Sequence, residues 1–318
     1  MARAVLRVVS AGPHCSVQDG GRPGLMRFGV PGSGGMDRSA LALANAAAGA
    51  PIGAPVVEIS LGGLTLEVEE GALSVAIAGG GFVIGHGTAS CGSWSVLALR
   101  EGDRLDIRRG PWGAWCYLAF CGDLRAERWL GSAATHAQSG LGGGAVRTGM
   151  QLVVDATRVI DPREIPCPVW ARPRSEVALV MGPQDRFFGQ DRIDLLLGAT
   201  FRLTDAYDRM GVRLRGPSLA PEAALAIPSE PVLRGSVQVA GDGVATVLMA
   251  DHQTTGGYPK IATLAGSELD SFAQLRPHAA VAFRAVTPAQ AVGMARIRAA
   301  SMARTTDALR KLRKSEDR

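Results

Sequence analysis

The sequence predicts a mainly β protein, and three observations support this fold class. Its 318 residues include 41 Gly and 18 Pro, about 19% of the chain against a background of roughly 12%. Aromatic residues make up only 5%. Short apolar segments recur about every ten residues, with turn residues between them. This spacing favours an all-β barrel or sandwich over alternating β-α units.

Five segments between residues 64 and 120 carry the strand pattern. They are Leu64–Val68, Leu73–Ala78, Ser95–Leu99, Arg104–Ile107 and Trp115–Phe120. Because only Glu69–Gly71 separates the first two, we predict that they form a hairpin. Cys116 and Cys121 lie five residues apart, so they would face opposite sides of one strand, and we interpret both as core residues.

Helices are predicted at three places. They are Arg38–Ala48, Asp185–Leu197 and the amphipathic, Arg-rich segment Ala289–Leu312. Asp37 can cap the first helix and Gly49 can end it. Gly198 would end the second helix, and Thr287 with Pro288 opens the third.

A cluster of prolines predicts a domain boundary. The four prolines are Pro162, Pro166, Pro168 and Pro173. They exclude a helix and a central strand, although a long loop within one domain would carry the same pattern. The predicted parts are a first β-rich subdomain (1–160), a Pro-rich linker (161–175), a second β-rich subdomain (176–288) and a basic C-terminal helix or tail (289–318).

The charge is concentrated at one end of the chain. Residues 289–318 hold eight Arg or Lys and three acidic residues, and the remaining residues hold 26 of each sign. A neutral body argues against nucleic acid as a partner, since a nucleic-acid-binding face needs clustered phosphate contacts. No apolar run reaches the roughly 18–20 residues of a membrane span, so we expect no membrane partner either.

The cysteines and the N-terminus predict a cytoplasmic protein. The five cysteines are an odd number and form no C-x-x-C pair, which disfavours a disulfide framework or a zinc ribbon. We therefore expect reduced thiols and no metal site. The first 20 residues lack a long apolar signal core.

The usual catalytic motifs are absent from the sequence. No Lys-Ser/Thr pair follows the glycines that a Walker A loop requires. There is no G-x-S-x-G elbow, no pair of His residues four apart, and no biotin-attachment site of the Ala-Met-Lys-Met type. Any chemistry must therefore depend on less general features.

The densest polar stretch is Asp251–Lys260, which follows the apolar strand Val244–Ala250. Two glycines let backbone N–H groups approach an anion, and two threonines and Lys260 add donors. Lys260 is unusual because the chain has 31 Arg but only three Lys, the other two in the tail. We predict an anion-binding loop here; a polar turn with an incidental Lys is the alternative.

This stretch supplies most of the candidate site residues. The candidate catalytic residues are Asp251, His252 and Lys260, and the candidate substrate-binding residues are Gln253, Thr254, Thr255, Gly256, Gly257 and Tyr258. Adjacent strand residues point in opposite directions. Asp251 and His252 can therefore act together only if the chain turns between them.

Two further polar groups are candidate substrate contacts. Gln18, Asp19 and Arg22 could form a hydrogen-bonded recognition corner on a glycine-rich backbone. Asp208 and Arg209 precede a strand, where they could contact a ligand or form an internal salt bridge. The sequence leaves both alternatives open for each group.

Five ordered motifs carry a family resemblance. They are Gln18-Asp19-x-Gly21-Arg22-Pro23-Gly24, Gly29-Val30-Pro31-x-Ser33-Gly34-x-Met36-Asp37, Gly182-Pro183-Gln184, Asp208-Arg209-Met210-Gly211 and Gln253-Thr254-Thr255-Gly256-Gly257-Tyr258-Pro259. From about Leu6 to Phe283 the chain resembles the family called allophanate hydrolase subunit 2, which also includes the C subunit of 5-oxoprolinase. This family is also described as the A and B part of a biotin-dependent carboxyltransferase domain.

The resemblance implies two cyclophilin-like β-barrel subdomains and a role as one subunit of a complex. The implied partners are a sister carboxyltransferase-type protein, like the B subunit of 5-oxoprolinase, and a protein like its A subunit. ATP, bound by this chain or by a partner, would drive the opening of 5-oxoproline to glutamate. This chain departs from the family pattern at Gly20 and Gly35, where an apolar residue and often Pro is expected, and at His252, where Arg is frequent.

Two other functions are compatible with the resemblance. The chain could be the carboxyltransferase subunit of a biotin-dependent urea or amide carboxylase, with biotin carried by another chain. It could instead be a non-enzymatic regulatory binding subunit. The 5-oxoprolinase role ranks first because the chain is compact and has neither a biotin site nor a biotin-carboxylase module.

Overall fold

The computed structural model describes residues 2–222 and 227–316, with side chains up to residue 311. These residues form two compact units. The first unit comprises residues 2–22, 33–172 and 302–316, and the second comprises 23–32, 173–222 and 227–301. The subdomain boundaries given above stay predictions.

The described residues of the first unit form two sheets, one helix that lies wholly within the unit, and the C-terminal part of the last helix of the chain. Its strands are β1 (Arg3–Ala11), β2 (Ser16–Gln18), β3 (Val56–Ile59), β4 (Leu64–Glu70), β5 (Ala72–Ala78), β6 (Gly81–His86), β7 (Ala89–Gly92), β8 (Ser95–Arg100), β9 (Arg104–Trp112), β10 (Cys116–Phe120), β11 (Asp123–Leu124), β12 (Gln151–Asp155) and β13 (Arg163–Glu164). The sheets have the orders β11-β12-β1-β4-β9-β6-β7 and β13-β8-β5-β10-β3-β2. The helix is α1 (Arg38–Ala48). The predicted mainly β fold is confirmed.

The predicted hairpin between β4 and β5 is wrong, because the two strands lie in different sheets. β4 alternates between buried and less buried residues, whereas all but the first residue of β5 is buried. The short connection is possible because Gly71 adopts φ +81. A Cβ there would collide with the carbonyl oxygen of Arg3. The chain therefore turns at Gly71 from one sheet into the other.

Local signals predicted several other features of the first unit correctly. The Asp37 carboxylate accepts a hydrogen bond from the Ala40 amide at 2.8 Å, and Gly49 ends α1 with φ 73. Cys116 and Cys121 are buried in the core, as predicted. The Pro-rich segment contributes only the edge strand β13 and one 3₁₀ turn.

The second unit contains a closed barrel. Its strands are β14 (Glu176–Met181), β15 (Phe201–Tyr207), β16 (Gly211–Arg215), β17 (Glu230–Pro231), β18 (Ser236–Val239), β19 (Ala245–Leu248), β20 (Thr255–Gly256), β21 (Lys260–Leu264) and β22 (Ala280–Ala285). The barrel order is β14-β21-β18-β19-β16-β15-β22, and the parallel pair β14–β22 closes the ring. The strands β17 and β20 form a separate two-stranded ribbon.

Three more helices lie in the described part of the chain: α2 (Gln190–Gly198), α3 (Leu269–Ala273) and α4 (Pro288–Glu316). The predicted helix from residue 185 to 197 is divided, because Gly189 is extended (φ −62, ψ 157) and α2 begins only after it. A 3₁₀ turn, Asp185–Phe187, takes the earlier position. In the described parts of the chain, no helix combines the length and the apolar composition needed to cross a membrane.

Candidate functional site

A cavity of about 460 Å³ opens on the second unit, and we call it the barrel cavity. Its polar lining consists of Asp208, Arg213, Gln238, Asp242, Gln253 and Tyr258, together with Thr246. The structure thus brings three predicted site residues, from distant parts of the sequence, to one cavity. Such volumes are typical of small-molecule sites.

Two glutamine side chains are held together in the barrel cavity. The Gln253 amide nitrogen donates to Oε1 of Gln238 at 3.1 Å, and the Gln238 amide nitrogen donates to the Tyr258 carbonyl at 3.4 Å. A Cβ at Gly256 would lie 2.5 Å from the Gln238 amide nitrogen, so a glycine is needed for this close approach. The pair therefore forms an ordered set of amide donors and acceptors.

Three residues of the cavity were missed by the sequence prediction: Arg213, Gln238 and Asp242. Gln238 had a detectable signal, because it interrupts the otherwise apolar end of β18 and is buried. Arg213 and Asp242 are exposed, and their sequence context resembles that of ordinary surface residues. Only the barrel topology places these three side chains near Gln253.

Asp208 and Arg209 do not pair with each other as an internal salt bridge. The Asp208 carboxylate accepts hydrogen bonds from the Met210 and Gly211 amides at 2.7 and 3.1 Å, which stabilises the turn between β15 and β16. Arg209 instead donates to both carboxylate oxygens of Asp251, each at 2.9 Å. Both partners are almost fully buried, so the internal salt bridge exists with a different acid.

The chain turns at Asp251 and His252, as their joint action would require. The Asp251 amide donates to the Arg209 carbonyl at 2.7 Å, and the His252 amide donates to the Met249 carbonyl at 3.3 Å. His252 Nδ1 lies 2.6 Å from the Gln253 carbonyl oxygen, which can only accept, so Nδ1 carries the proton. The catalytic roles of Asp251 and His252 stay predictions.

The segment predicted as a loop contains two strand residues, because Thr255–Gly256 form strand β20, and Lys260 begins strand β21. Its binding of an anion stays a prediction. The Lys260 ammonium is buried and lies 3.5 Å from Oε2 of Glu230. Gln184 links these groups, since its amide nitrogen donates to Glu230 at 2.5 Å and its Oε1 accepts from the Lys260 amide at 2.9 Å. Lys260 is therefore a buried cation beside a carboxylate.

The ribbon β17–β20 explains how the rest of this segment is held. Glu230 pairs with Gly256 in the ribbon. The Val232 amide donates to the Thr254 carbonyl, and the Ile227 amide donates to the Gly257 carbonyl. The segment is thus bound through its backbone to residues 227–232, next to the Lys260–Glu230 pair.

Gln18, Asp19 and Arg22 lie together in the first unit, whereas the barrel cavity belongs to the second unit. Asp19 accepts hydrogen bonds from Ser132 Oγ and the Ala133 amide, both at 2.6 Å. All three side chains are buried. They form the predicted corner, and its use as a ligand contact stays a prediction.

Arg22 and Gln18 donate mainly to backbone carbonyls. Arg22 donates to the carbonyls of Trp129, Ser132 and Ala134. Its guanidinium carbon lies 4.8 Å from the centroid of the Trp129 ring. The Gln18 amide nitrogen donates to the Ser16 hydroxyl and the Thr135 carbonyl, at 2.9 and 3.1 Å. The corner therefore orders the segment from residue 129 to 135.

Within residues 2–222 and 227–316, no group of His, Cys, Asp and Glu side chains is arranged to hold a metal ion. The barrel cavity offers amides, hydroxyls, one guanidinium and two carboxylates. This set can bind a small polar molecule through hydrogen bonds and through charges of both signs.

Comparisons with known proteins give a consistent picture. Residues 28–285 match the family model described as carboxyltransferase domain, subdomain A and B. The chain is 31% identical over 277 residues to the C subunit of 5-oxoprolinase from Escherichia coli strain K12, covering 85% of this chain and 88% of that protein. It is 29% identical over 304 residues to a putative urea carboxylase of Emericella nidulans, covering 89% of this chain and 24% of that protein. The crystal structure of the Kluyveromyces lactis urea carboxylase shares the fold, with a TM-score of 0.85 at 23% identity over 96% of this chain and 29% of that chain.

Proposed function

Because this chain belongs to the family of carboxyltransferase subdomains A and B, we propose that it is the C subunit of an ATP-dependent 5-oxoprolinase complex. Such a complex opens 5-oxoproline to glutamate. The observation that carries this proposal is the match along most of the length of a relative named as the C subunit of 5-oxoprolinase. The relative named putative urea carboxylase is matched along only about a quarter of its length.

The barrel cavity has groups that suit this substrate. 5-Oxoproline carries one carboxylate and one lactam. The Arg213 guanidinium can pair with the carboxylate, and the amides of Gln238 and Gln253 can match the lactam N–H and C=O. We therefore propose the barrel cavity as the part of the complex that this chain contributes to substrate binding.

The chemistry requires activation of the lactam, because its nitrogen donates electron density into the carbonyl. Phosphorylation of the carbonyl oxygen by ATP gives an activated imidate that water can attack. Stabilising the developing charge needs a fixed cation or hydrogen-bond donors. We assign this role to Lys260, which does not line the barrel cavity itself but is the strand partner of the cavity residue Gln238. We propose His252 as the general base, because both carboxylate oxygens of Asp251 already accept hydrogen bonds from Arg209.

ATP is assigned to the assembled complex, in which the partners are proteins like the B and A subunits of 5-oxoprolinase. The sequence carries no glycine-rich loop followed by Lys and Ser or Thr, which is the phosphate loop of many nucleotide-binding proteins. We therefore expect the purified single chain to be catalytically silent.

A second candidate function is the carboxyltransferase subunit of a biotin-dependent urea or amide carboxylase. The family description and the relative named putative urea carboxylase favour it. In that case the same donors would hold the ureido oxygen of carboxybiotin, with biotin attached to another chain. A non-enzymatic regulatory subunit is the third candidate, and it predicts binding without turnover.

The decisive experiment co-purifies this chain with the products of its neighbouring genes. Hydrolysis of ATP is then measured with 5-oxoproline, with urea and without substrate. We expect stimulation by 5-oxoproline only. We also expect Arg213→Gln to raise KM for 5-oxoproline, whereas Arg215→Gln, on the same strand outside the barrel cavity, leaves KM unchanged. Stimulation by urea would support the carboxylase, and turnover by the single chain would contradict the proposed division of labour.

A further inference from the structure

A second cavity, of about 690 Å³, lies on the first unit and has no part in the proposed function. We call it the tryptophan cavity. Its lining includes the aromatic residues Phe82, Trp94 and Trp112, the thiols of Cys91 and Cys167, and the charged residues Glu164 and Arg172. Two of the five tryptophans of the chain therefore line one space. Flat aromatic walls favour a ligand with a planar ring.

Trp94 is fixed in an unusual conformation at this cavity. Its φ is +74, which is rare for a bulky side chain. Three hydrogen bonds hold it there: its amide donates to Ile77 at 2.8 Å, its indole nitrogen donates to Gly80 at 2.9 Å, and its carbonyl accepts from Ile165 at 2.7 Å. Residues held in such conformations cluster at ligand-binding sites. Trp94 is 6% exposed, so its ring forms a rigid and largely covered part of the cavity wall.

Trp112 is held closely against the opposite chain segment. A Cβ at Gly81 would collide with the indole nitrogen of Trp112, so only glycine leaves room for the ring there. The guanidinium carbon of Arg172 lies 5.7 Å from the centroid of the Trp112 ring. A positive charge is therefore placed beside an aromatic surface at the rim of the cavity.

From this arrangement we infer that the tryptophan cavity binds a small molecule with an aromatic ring and an anionic group. The ring packs against the partly exposed indole of Trp112, with the buried Trp94 behind it, and the anion pairs with Arg172. The carboxylate of Glu164 lines the same cavity and repels an anion. It therefore lowers the affinity for the ligand, and its neutralisation should raise that affinity. The inference is independent of the proposed 5-oxoprolinase role.

The cysteines provide a direct readout of occupancy. Cys91 is exposed and Cys167 is partly buried, and both line the tryptophan cavity. Cys15, Cys116 and Cys121 are buried in the fold. Alkylation of the native protein should therefore modify only the two cysteines of the cavity, and a bound ligand should slow that reaction.

The binding experiment uses the full chain and the fluorescent probe 8-anilinonaphthalene-1-sulfonate. We expect saturable binding that Trp112→Ala weakens about tenfold, through loss of the aromatic contact, and Arg172→Gln about fivefold, through loss of the charge. Glu164→Gln should tighten binding about two- to threefold. The matched control is Arg186→Gln, because Arg186 also stacks on an aromatic ring, that of Phe187 at 4.7 Å, but lies in the second unit. This control should leave binding unchanged.

Two competitors distinguish the sources of such a ligand. Displacement of the probe by AMP would indicate a nucleotide, and displacement by indole-3-acetate would indicate an aromatic carboxylate. Each successful competitor should also slow alkylation of Cys91 by iodoacetamide, as measured by peptide mass spectrometry. If Trp112→Ala fails to fold, Trp112→Phe should retain binding while Arg172→Gln weakens it. Equal affinity in all variants, displacement by neither competitor, or unprotected Cys91 would overturn the inference.

Discussion

The two units each bury an arginine, but they satisfy it in different ways. In the first unit Arg22 donates to three backbone carbonyls and stacks on Trp129. In the second unit Arg209 forms a two-bond pair with the carboxylate of Asp251. Both side chains are 2% exposed. Backbone carbonyl dipoles spread the compensation of the buried positive charge over several residues of a loop, whereas a carboxylate provides it from one residue.

This difference determines what each arginine does for the fold. Arg22 connects residues 129–134 to one another, so it organises a segment. Arg209 connects a turn to the segment that follows β19, 42 positions later in the chain, so it fixes the geometry beside His252. A single substitution at Asp251 should therefore be more damaging than the loss of any one carbonyl partner of Arg22.

The largest expected effect is that of Asp251→Asn. We expect the free energy of unfolding to fall by about 3–5 kcal/mol, because the buried guanidinium loses its carboxylate. The measurement is urea unfolding. Glu176→Gln is the matched control, since Glu176 forms an exposed pair with Arg284 at 3.1 Å and should cost less than about 1 kcal/mol. The double variant Arg209→Met with Asp251→Leu should recover much of the lost stability. An equal loss in Asp251→Asn and in this double variant would contradict the explanation.

Arg22→Met should have the next largest effect, about 2–3 kcal/mol of unfolding free energy, because buried carbonyls lose their donor. Methionine keeps the apolar stem beside Trp129. The control is Arg27→Met, since Arg27 stacks on the exposed ring of Phe28 at 4.7 Å and should change stability little. If Arg22→Met costs more than Asp251→Asn, concentrated compensation is not the more fragile arrangement.

Lys260→Met tests a buried cation whose carboxylate partner, on Glu230, is more distant and more exposed than the partner of Arg209. The distances are 3.5 Å for Lys260–Glu230 and 2.9 Å for Arg209–Asp251. We expect turnover of the assembled complex to fall about 10- to 150-fold, which corresponds to about 1.5–3 kcal/mol for a charge-assisted contact. Thermal stability should change little, because methionine keeps the buried stem. Lys260→Arg should rescue turnover partly if a compact charge is needed.

The comparison variant for Lys260 is Glu230→Gln. If Lys260→Met and Glu230→Gln each lower thermal stability as strongly as they lower turnover, Lys260 acts by holding the ribbon β17–β20 in place. Near-normal turnover of Lys260→Met would contradict a catalytic role for the charge.

The smallest expected effect is a loss of stability at high pH through buried thiols. It concerns the first unit, because all five cysteines lie there. Burial raises the pKa of the Cys15 thiol from 9.0 to about 11. The folded state therefore holds the proton more tightly than the unfolded chain does, and the resulting stability is full below pH 9 and lost as the pH rises toward 11. We expect the Cys15 thiol alone to lower the free energy of unfolding by about 1 kcal/mol by roughly pH 10.

Unfolding at about pH 8 and about pH 10 checks this prediction. Cys15→Ala should reduce the loss of stability between the two values, and a part should remain because burial also raises the pKa of Cys116. Cys91→Ala is the control, since Cys91 is exposed. A loss that is the same in Cys15→Ala and in the unchanged protein would contradict the assignment.

Local features of the fold were predictable from the sequence, and pairings between distant residues were not. The cap and stop of α1 are encoded by Asp37 and Gly49 within one segment, and the strand pattern needs only a few neighbouring residues. The separation of β4 from β5 depends on which strands lie beside each of them. No signal within residues 64–78 contains that information.

The candidate site shows the same limit. Asp208, Gln253 and Tyr258 were found because their segments are polar and glycine-rich, and the barrel brings them to one cavity. The partner of Arg209 could not be read from its own motif, in which Asp208 is the nearer acid. The partners of Lys260 could not be read either, since Gln184 and Glu230 reach it from two other strands or turns of the second unit.

The interleaved order of the two units has a consequence for synthesis on the ribosome. The first unit includes residues from 302 onward, where Thr306 and Leu309 are buried, although most of it is made before residue 173. At roughly 5–20 residues per second, the ribosome needs about 7–26 s to add the intervening stretch. During that interval the nascent first unit must persist without its final segment. A nascent-chain experiment should therefore find it sensitive to protease until that segment has emerged.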